Sequence, residues 1–235
     1  MNSQLYTAAS GMIVERQRLD LIANNLANVS TSGYRAQRMF SVPSGGAGSS
    51  PPGTAVAGSY DVPHAGPGRQ TGRPFDIALE DGEFLAVQTA AGRRYVRGGS
   101  LQLGADGRLT DGDGRPLLDS RFKPIQGLGA GATIAGDGRV MDGGGEVARL
   151  AVLRDPGQLL LRAGRNSLTA NGRDAALESV EEPTVRAGWL EQSGTDALGE
   201  LVRLIESQRA FESYQKLVSM TMNEVNRRAA NDLAG

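Results

Sequence analysis

The C-terminal segment of the chain carries the pattern that restricts its fold most. Between Gly199 and Gly235 it contains neither proline nor glycine, so nothing in the sequence interrupts a helix there. Apolar and glutamine side chains recur in this segment at alternating intervals of four and three residues. The positions are Ala197, Leu201, Leu204, Gln208, Phe211, Gln215, Val218, Met222, Val225 and Ala229. Because heptad spacing over about four heptads keeps one seam of a helix against a partner, this segment predicts a coiled-coil helix.

The N-terminal segment carries a weaker version of the same pattern. From Gln4 to Val29 there is no proline, and the only glycine is Gly11. Apolar residues recur there every seven positions, in a first row of Leu5, Met12, Leu19 and Leu26 and in a companion row of Ala8, Ile22 and Val29 that Glu15 interrupts. We expect a helix of about 25 residues that pairs with the C-terminal helix. The alternative, an amphipathic helix packed on its own domain, stays open for both segments.

Two glutamines lie on the predicted C-terminal seam. Gln208 and Gln215 occupy positions that most coiled coils fill with apolar side chains. A polar group buried at such a position can fix the register of the paired helices, at some cost in stability.

The middle of the chain differs in composition from both ends. Residues 42–74 are dense in glycine, proline and serine, which predicts a linker or long extended loop. From Phe75 onward, short runs with a period of two are separated by Asp-Gly or Asn-Gly pairs, which tolerate the positive φ of tight hairpins. The predicted fold class is therefore α+β. Terminal helices over 1–40 and 187–235 pair as a coiled coil, residues 41–74 form the linker, and residues 75–186 form an antiparallel β domain of many short strands.

Composition excludes several kinds of catalytic site. There is no cysteine, and the only histidine, His64, lies among glycines and prolines that could not hold an imidazole in a nucleophile triad. Asp111-Gly-Asp-Gly114 resembles the start of a calcium loop, but its twelfth position is Phe122 instead of glutamate, so we interpret it as a hairpin turn. We expect no catalytic residue, no metal site and no cofactor. A β-rich, polysaccharide-active enzyme with paired carboxylates remains an alternative.

Charge and hydropathy restrict the partners. The formal net charge of −1 gives no electrostatic basis for binding nucleic acid. No run of about 18 apolar residues predicts a membrane span, and the first residues do not have the form of a signal peptide. On these grounds alone the sequence predicts a cytoplasmic protein.

The most specific string in the sequence covers residues 23–35, Ala-Asn-Asn-Leu-Ala-Asn-Val-Ser-Thr-Ser-Gly-Tyr-Arg. Asn24, Asn25 and Asn28 are poor helix-interior residues, and their amides could bond neighbouring subunits or the end of the helix. Gly33 can adopt the left-handed backbone that stops a helix. The string resembles the N-terminal signature of the flagellar basal-body rod and hook family.

Further segments are similar to the same family. Residues 71–88 and 94–103 resemble the opening of its β domain, and residues 188–193 with Arg209-Ala-Phe-Glu212 resemble its closing helix. Within the family, Tyr34-Arg-Ala-Gln37 and the tail 223–233 are more similar to the proximal-rod type than to a distal-rod or hook-type subunit, which remain alternatives.

The resemblance implies a structural subunit whose terminal helices line a helical tube that transmits torque, with the β domain outside. It implies partners among copies of the chain, other rod proteins and the flagellar type III export apparatus. It also replaces the cytoplasmic prediction with a periplasmic rod, reached without a cleaved signal peptide. The predicted assembly interface consists of Leu5, Met12, Leu19, Leu26, Asn24, Asn25, Asn28, Leu201, Leu204, Gln208, Phe211, Gln215, Val218, Met222 and Val225. A coiled-coil adaptor outside the flagellum would lack the asparagine-rich string.

Overall fold

The chain forms two compact units, each built from separate stretches of sequence. The computed structural model describes residues 2–45, 52–62, 65–164 and 166–234, without the side chains of 2, 228, 229 and 232–234. The first, which we call the helical unit, comprises residues 1–29, 36–62 and 195–235. The second, the β unit, comprises residues 30–35 and 63–194. His64, predicted to be a loop residue, lies outside the described residues.

Two long helices and one hairpin make up the helical unit. Helix α1 is Asn2–Ala27 and helix α2 is Ala197–Ala234, and the two pack side by side. Strands β1 (Gln37–Ser44) and β2 (Gly53–Asp61) pair antiparallel and pack on α1. Neither helix in the described part of the chain is long and apolar enough to cross a membrane.

The hairpin corrects part of the sequence interpretation. Residues 41–74 were predicted to be a linker or extended loop, but more than half of the described residues in that range lie in β1, β2 and β3 (Gly68–Gln70). The strands are held to α1 by polar contacts: Ser10 Oγ accepts a 3.1 Å hydrogen bond from the Thr54 backbone N–H, and Thr7 Oγ1 donates to the Pro52 carbonyl at 2.6 Å. Polar contacts of this kind have no hydrophobic period, so the composition pointed to a loop. The centre of the Ser44–Gly53 run, residues 46–51, lies outside the described residues.

The β unit contains the remaining strands, and every strand pair in its described part is antiparallel. The strands after β3 are β4 (Asp76–Leu79), β5 (Glu83–Thr89), β6 (Gly92–Val96), β7 (Gly98–Ser100), β8 (Gln102–Leu103), β9 (Leu109–Thr110), β10 (Thr133–Ile134), β11 (Arg139–Asp142), β12 (Gly145–Arg149), β13 (Val152–Arg154), β14 (Leu161–Arg162), β15 (Ser167–Thr169), β16 (Glu178–Ser179), β17 (Val185–Ala187) and β18 (Trp189–Glu191). A short 3₁₀ helix spans Asp174–Ala176.

The largest sheet has the order β14-β15-β6-β5-β13-β16. Alternate side chains of β5 enter two different hydrophobic clusters, with Leu85 and Val87 in one and Ala86 and Phe84 in the other. Because successive side chains of a strand point to opposite faces, this sheet lies between the two clusters. Smaller sheets have the orders β17-β4-β7, β10-β11-β12, β18-β3 and β8-β9.

The predicted turns and strands are largely confirmed. Gly107, Gly114, Gly138 and Gly172, the second residues of predicted Asp-Gly or Asn-Gly turns, all have positive φ. Residues 147–153 divide between the two strands β12 and β13, and Leu150 forms an isolated bridge with Asp119 between them. The Asp111 carboxylate accepts hydrogen bonds from the backbone N–H groups of Asp113 and Arg115, as expected of a turn.

Candidate assembly surface

The side of α2 that packs against α1 differs by one row from the predicted seam. The row Leu204, Phe211, Val218 and Val225 is half-buried. The other predicted row, Leu201, Gln208, Gln215 and Met222, is exposed in the single chain. The row that faces α1 in its place consists of Glu200 and Ser207, which are buried, and of Tyr214 and Thr221, which are half-buried. We call the set Glu200, Ser207, Tyr214 and Thr221 the polar row, and the exposed set the predicted row.

On α1, both rows of the N-terminal pattern contain buried or half-buried side chains. Leu5, Met12, Leu19 and Leu26 are half-buried, while Ala8 and Ile22 of the companion row are buried. Glu15, which interrupts the companion row in the sequence, is also buried. Its carboxylate accepts a 2.6 Å hydrogen bond from Ser207 Oγ and pairs with Arg18. The carboxylate of Glu15 therefore makes a specific contact with α2.

Glu200 forms the centre of a polar cluster that joins three elements. It is 0% exposed, and its carboxylate accepts hydrogen bonds from Arg38 on β1, from Arg203 at 2.9 Å and from Asn25 Nδ2 at 3.4 Å. Asn25, also 0% exposed, bonds the backbone of Gln37 in both directions at 2.9 Å. The Asn25 amide thus stands in for a strand partner at the start of β1.

The other signature asparagines bond to their own helix. Asn24 Nδ2 donates to the Asp20 carbonyl at 3.0 Å and is exposed, whereas Asn28 is buried and donates to the Asn24 carbonyl at 2.8 Å. These amides were expected to bond either neighbouring subunits or the end of the helix, and the structure of the single chain shows bonds within the chain. A role for Asn24, Asn25 and Asn28 between subunits stays a prediction.

Gly11 is explained by its contact with α2. A Cβ at this position would lie 2.6 Å from the ring of Tyr214, so a side chain there would displace the ring. Together, Gly11–Tyr214, Glu15–Ser207 and Asn25–Glu200 run in opposite directions along the two helices, which are therefore antiparallel.

The second half of the signature, residues 30–35, belongs to the β unit. Gly33 has φ +67°, and its N–H donates to the Glu191 carbonyl at 3.0 Å. Tyr34 is buried, with the guanidinium of Arg162 4.8 Å from its ring centre. Arg35 pairs with Asp81 at 2.6 Å. Each of the last three signature residues therefore has its own contact within the β unit.

Asp81 is the titratable group that Arg35 affects most directly. Its partial burial would raise its pKa, but the hydrogen bond from Arg35 and the charges of Arg35 and Arg97 together hold the pKa below its usual range. The carboxylate is therefore charged near neutral pH and keeps Arg35 in place.

The surface of α2 facing away from α1 carries large apolar side chains. Leu198 is 72% exposed, Val202 49% and Ile205 50%, and Leu201 lies beside them. Leu217, Met220 and Met222 are exposed farther along the helix. We call Leu198, Leu201, Val202 and Ile205 the outer apolar patch. Only Leu201 among them lies on the heptad seam predicted from the sequence; the other three occupy positions that a single seam leaves on the solvent side.

No group of three or more histidine, aspartate or glutamate side chains placed to hold a metal ion occurs in the part of the chain that the structure covers. The features that stand out are structural: paired terminal helices, an exposed apolar patch, and a signature held by internal contacts. They define a structural subunit of α+β architecture.

Comparison with known proteins identifies the family. Residues 5–35 match the family described as flagella basal body rod protein, and residues 186–232 match the C-terminal region of flagellar basal body rod FlgEFG proteins. The flagellar basal-body rod protein FlgF of Escherichia coli (strain K12) is 33% identical, over 99% of this chain and 98% of the relative. FlgF of Mesorhizobium japonicum is 31% identical over 94% of each chain. FlgG of Bacillus subtilis (strain 168) is 30% identical over 98% of this chain and 99% of the relative.

The chain belongs to the flagellar basal-body rod protein family, and it is a structural subunit of the rod of the bacterial flagellum. The resemblance found in residues 23–35 is confirmed. The first matched region contains most of α1 with its signature, and the second contains β18 and most of α2, so the family pattern covers the segments that form the helix pair.

Proposed function

We propose that this chain builds the proximal part of the rod, where its α1–α2 pair packs against the helices of neighbouring copies and of other rod proteins to form a helical tube that transmits torque. Relatives named FlgF and FlgG both match over nearly the whole chain, and the FlgF relatives support the proximal position. The observation that carries the proposal is the outer apolar patch, on the face of α2 that its own chain leaves uncovered.

Covering the outer apolar patch with a neighbouring subunit would stabilise the assembly. Each large apolar side chain transferred from water to an interface contributes about 1.5–3 kcal/mol. Leu198, Val202 and Ile205 lie within the first turns of α2, so a single neighbouring helix can cover all three. Head-to-tail contacts that do not close into a ring then produce a helical polymer.

Coiled-coil pairing is part of this proposal. Within the chain, α1 and α2 meet through the polar row and the half-buried row Leu204, Phe211, Val218 and Val225. The predicted row is free on the adjacent side of α2, so it can form a second seam with a neighbouring subunit. In that arrangement Gln208 and Gln215 fix the register between subunits.

We also propose that the chain reaches the periplasm through the flagellar type III export apparatus and acts there without catalysis. Membership of the rod family supports this placement. The experiment below measures export of the subunit and its incorporation into the rod separately.

The test compares two aspartate substitutions at equally exposed apolar positions. Ile205→Asp changes the outer apolar patch, whereas Val147→Asp changes the β unit, where Val147 is 47% exposed. Each variant is expressed in a strain lacking the gene, and swimming, export into the medium and subunit content of isolated basal bodies are measured. We expect Ile205→Asp to reduce incorporation by roughly tenfold or more, since a buried charge replaces apolar contact.

Val147→Asp is the control for a general effect of a new surface charge. Val147→Asp is expected to leave incorporation, export and swimming near wild type, and both purified variants are expected to keep the wild-type thermal unfolding profile. Normal basal bodies containing the Ile205→Asp subunit would contradict the proposed interface.

A further inference from the structure

Helix α2 has two overlapping faces that could meet α1. Both contain the row Leu204, Phe211, Val218 and Val225, and they differ in whether the second row is the polar row or the predicted row. Since successive helix residues are about 100° apart, the two faces are related by a rotation of only about 50°. The predicted row contains Leu201 and Met222, whereas Tyr214 is the only large, partly apolar member of the polar row. Apolar burial therefore does not explain why the polar row faces α1.

Each of three polar-row residues has a specific complement on α1. Glu200 accepts from Asn25, Ser207 donates to Glu15, and the ring of Tyr214 lies where Gly11 has no side chain. Rotating α2 by about 50° would remove the Glu200 carboxylate from Arg38 and the Ser207 hydroxyl from the buried Glu15. Buried charged groups that lose their hydrogen bonds are costly, so these contacts oppose the rotation.

We propose that Glu200 and Ser207, with Asn25, Arg38 and Glu15, determine which face of α2 packs against α1. They act as positioning residues: they hold the predicted row and the outer apolar patch outward. Gly11, the only glycine of α1, has the same role, because a side chain at this helix position would displace the Tyr214 ring. This selection is a property of the single chain and does not depend on the proposed assembly.

The absence of cysteine allows a direct test with the full-length chain. Single reporters are introduced as Gln215→Cys, on the exposed predicted row, and Thr221→Cys, on the half-buried polar row. The rate of maleimide labelling is measured for each, alone and combined with Glu200→Ala/Ser207→Ala. A matched control, Glu206→Ala/Ser213→Ala, removes a glutamate and a serine that are exposed on the same helix. The conservative pair Glu200→Gln/Ser207→Thr retains hydrogen-bonding groups at both positions.

In the unmodified background, position 215 is expected to label faster than position 221. With Glu200→Ala/Ser207→Ala, the ratio of the two rates is expected to fall by roughly thirtyfold or more, because at least two net hydrogen bonds are lost and each is equivalent to about a fivefold change. The control and the conservative pair are expected to leave the ratio unchanged. Labelling that rises equally at both positions would show that the network only stabilises the helix pair, and an unchanged ratio would show that other contacts select the face. Either result overturns the proposal. It is also overturned if Glu200→Gln/Ser207→Thr lowers the ratio as much as Glu200→Ala/Ser207→Ala does.

Discussion

Gly33 shows how one signature residue is fixed by both its backbone and its surroundings. Its φ of +67° is in the left-handed region, which an L side chain adopts only with strain. A Cβ at this position would also lie 3.0 Å from Cβ of Arg97, whose side chain is buried. Glycine is thus required twice here, for conformation and for space.

Gly33→Ala is expected to destabilise the β unit more than Gly172→Ala. Gly172 has a similar φ of +83°, but no atom lies within 4 Å of the place that its Cβ would take, so its substitution carries only the conformational cost of about 1 kcal/mol. For Gly33→Ala we expect about 1–2 kcal/mol more, because the buried neighbour must shift. Chemical denaturation followed by the fluorescence of Trp189 measures both. An equal loss of unfolding free energy in the two variants would show that the neighbour of Gly33 moves aside at no cost in stability.

Among the elements of the β unit, β18 is held in place by a buried ion pair. Glu191 on β18 contacts Arg97 at 2.9 Å, and Arg97 also donates to the carbonyls of Glu80 and Glu83 on either side of the turn before β5. Its guanidinium lies 5.5 Å from the ring centre of Phe84. One side chain therefore connects β18, the last strand before α2, to the largest sheet.

Replacing Arg97 by methionine is expected to cost about 3–5 kcal/mol, because it leaves the Glu191 carboxylate buried without its partner. The control is Arg139→Met, which removes a partner of Asp137 in a pair that is 41% exposed on both sides. An exposed pair of this kind contributes little to stability, because solvent screens both charges. Urea denaturation at neutral pH compares the two. If Arg97→Met were as mild as Arg139→Met, the ion pair would not be holding β18.

At the scale of the whole molecule, the buried apolar side chains are unevenly distributed. Both hydrophobic clusters lie in the β unit. Among the described residues of the helical unit, the buried apolar side chains are Ala8, Val14, Ile22 and Ala36. Since apolar burial is the main favourable contribution to folding, we infer that the helical unit of an isolated subunit is the less stable one and that contacts with neighbours stabilise it in the rod.

Thermal unfolding of the isolated chain is therefore expected in two steps, with helical circular dichroism lost before the β signal. Ile22→Ala should lower the first transition and Leu109→Ala the second, each by the equivalent of about 2–5 kcal/mol, since both side chains are almost fully buried. Differential scanning calorimetry separates the transitions. A single transition shifted by both substitutions would show that the two units unfold together.

The sequence by itself determined the family, the two helices and the positions of most strands and turns. These follow from local chemistry: both helical segments lack proline and contain one glycine each, and Asp-Gly and Asn-Gly pairs accept positive φ at the turns. The hairpin β1–β2 was missed, because Ser10, Thr7 and Asn25 hold it through polar contacts that leave no periodic signal.

Only the tertiary structure decided which side of α2 faces α1. Heptad spacing fixed the row that contains Leu204 and Val218, but the choice between the neighbouring rows depended on partners far away in the sequence. Glu200 is buried because Asn25 and Arg38 satisfy its charge, and Tyr214 fits because residue 11 is glycine. A periodic pattern records how apolar each position is, whereas a buried polar contact depends on what the opposite helix supplies.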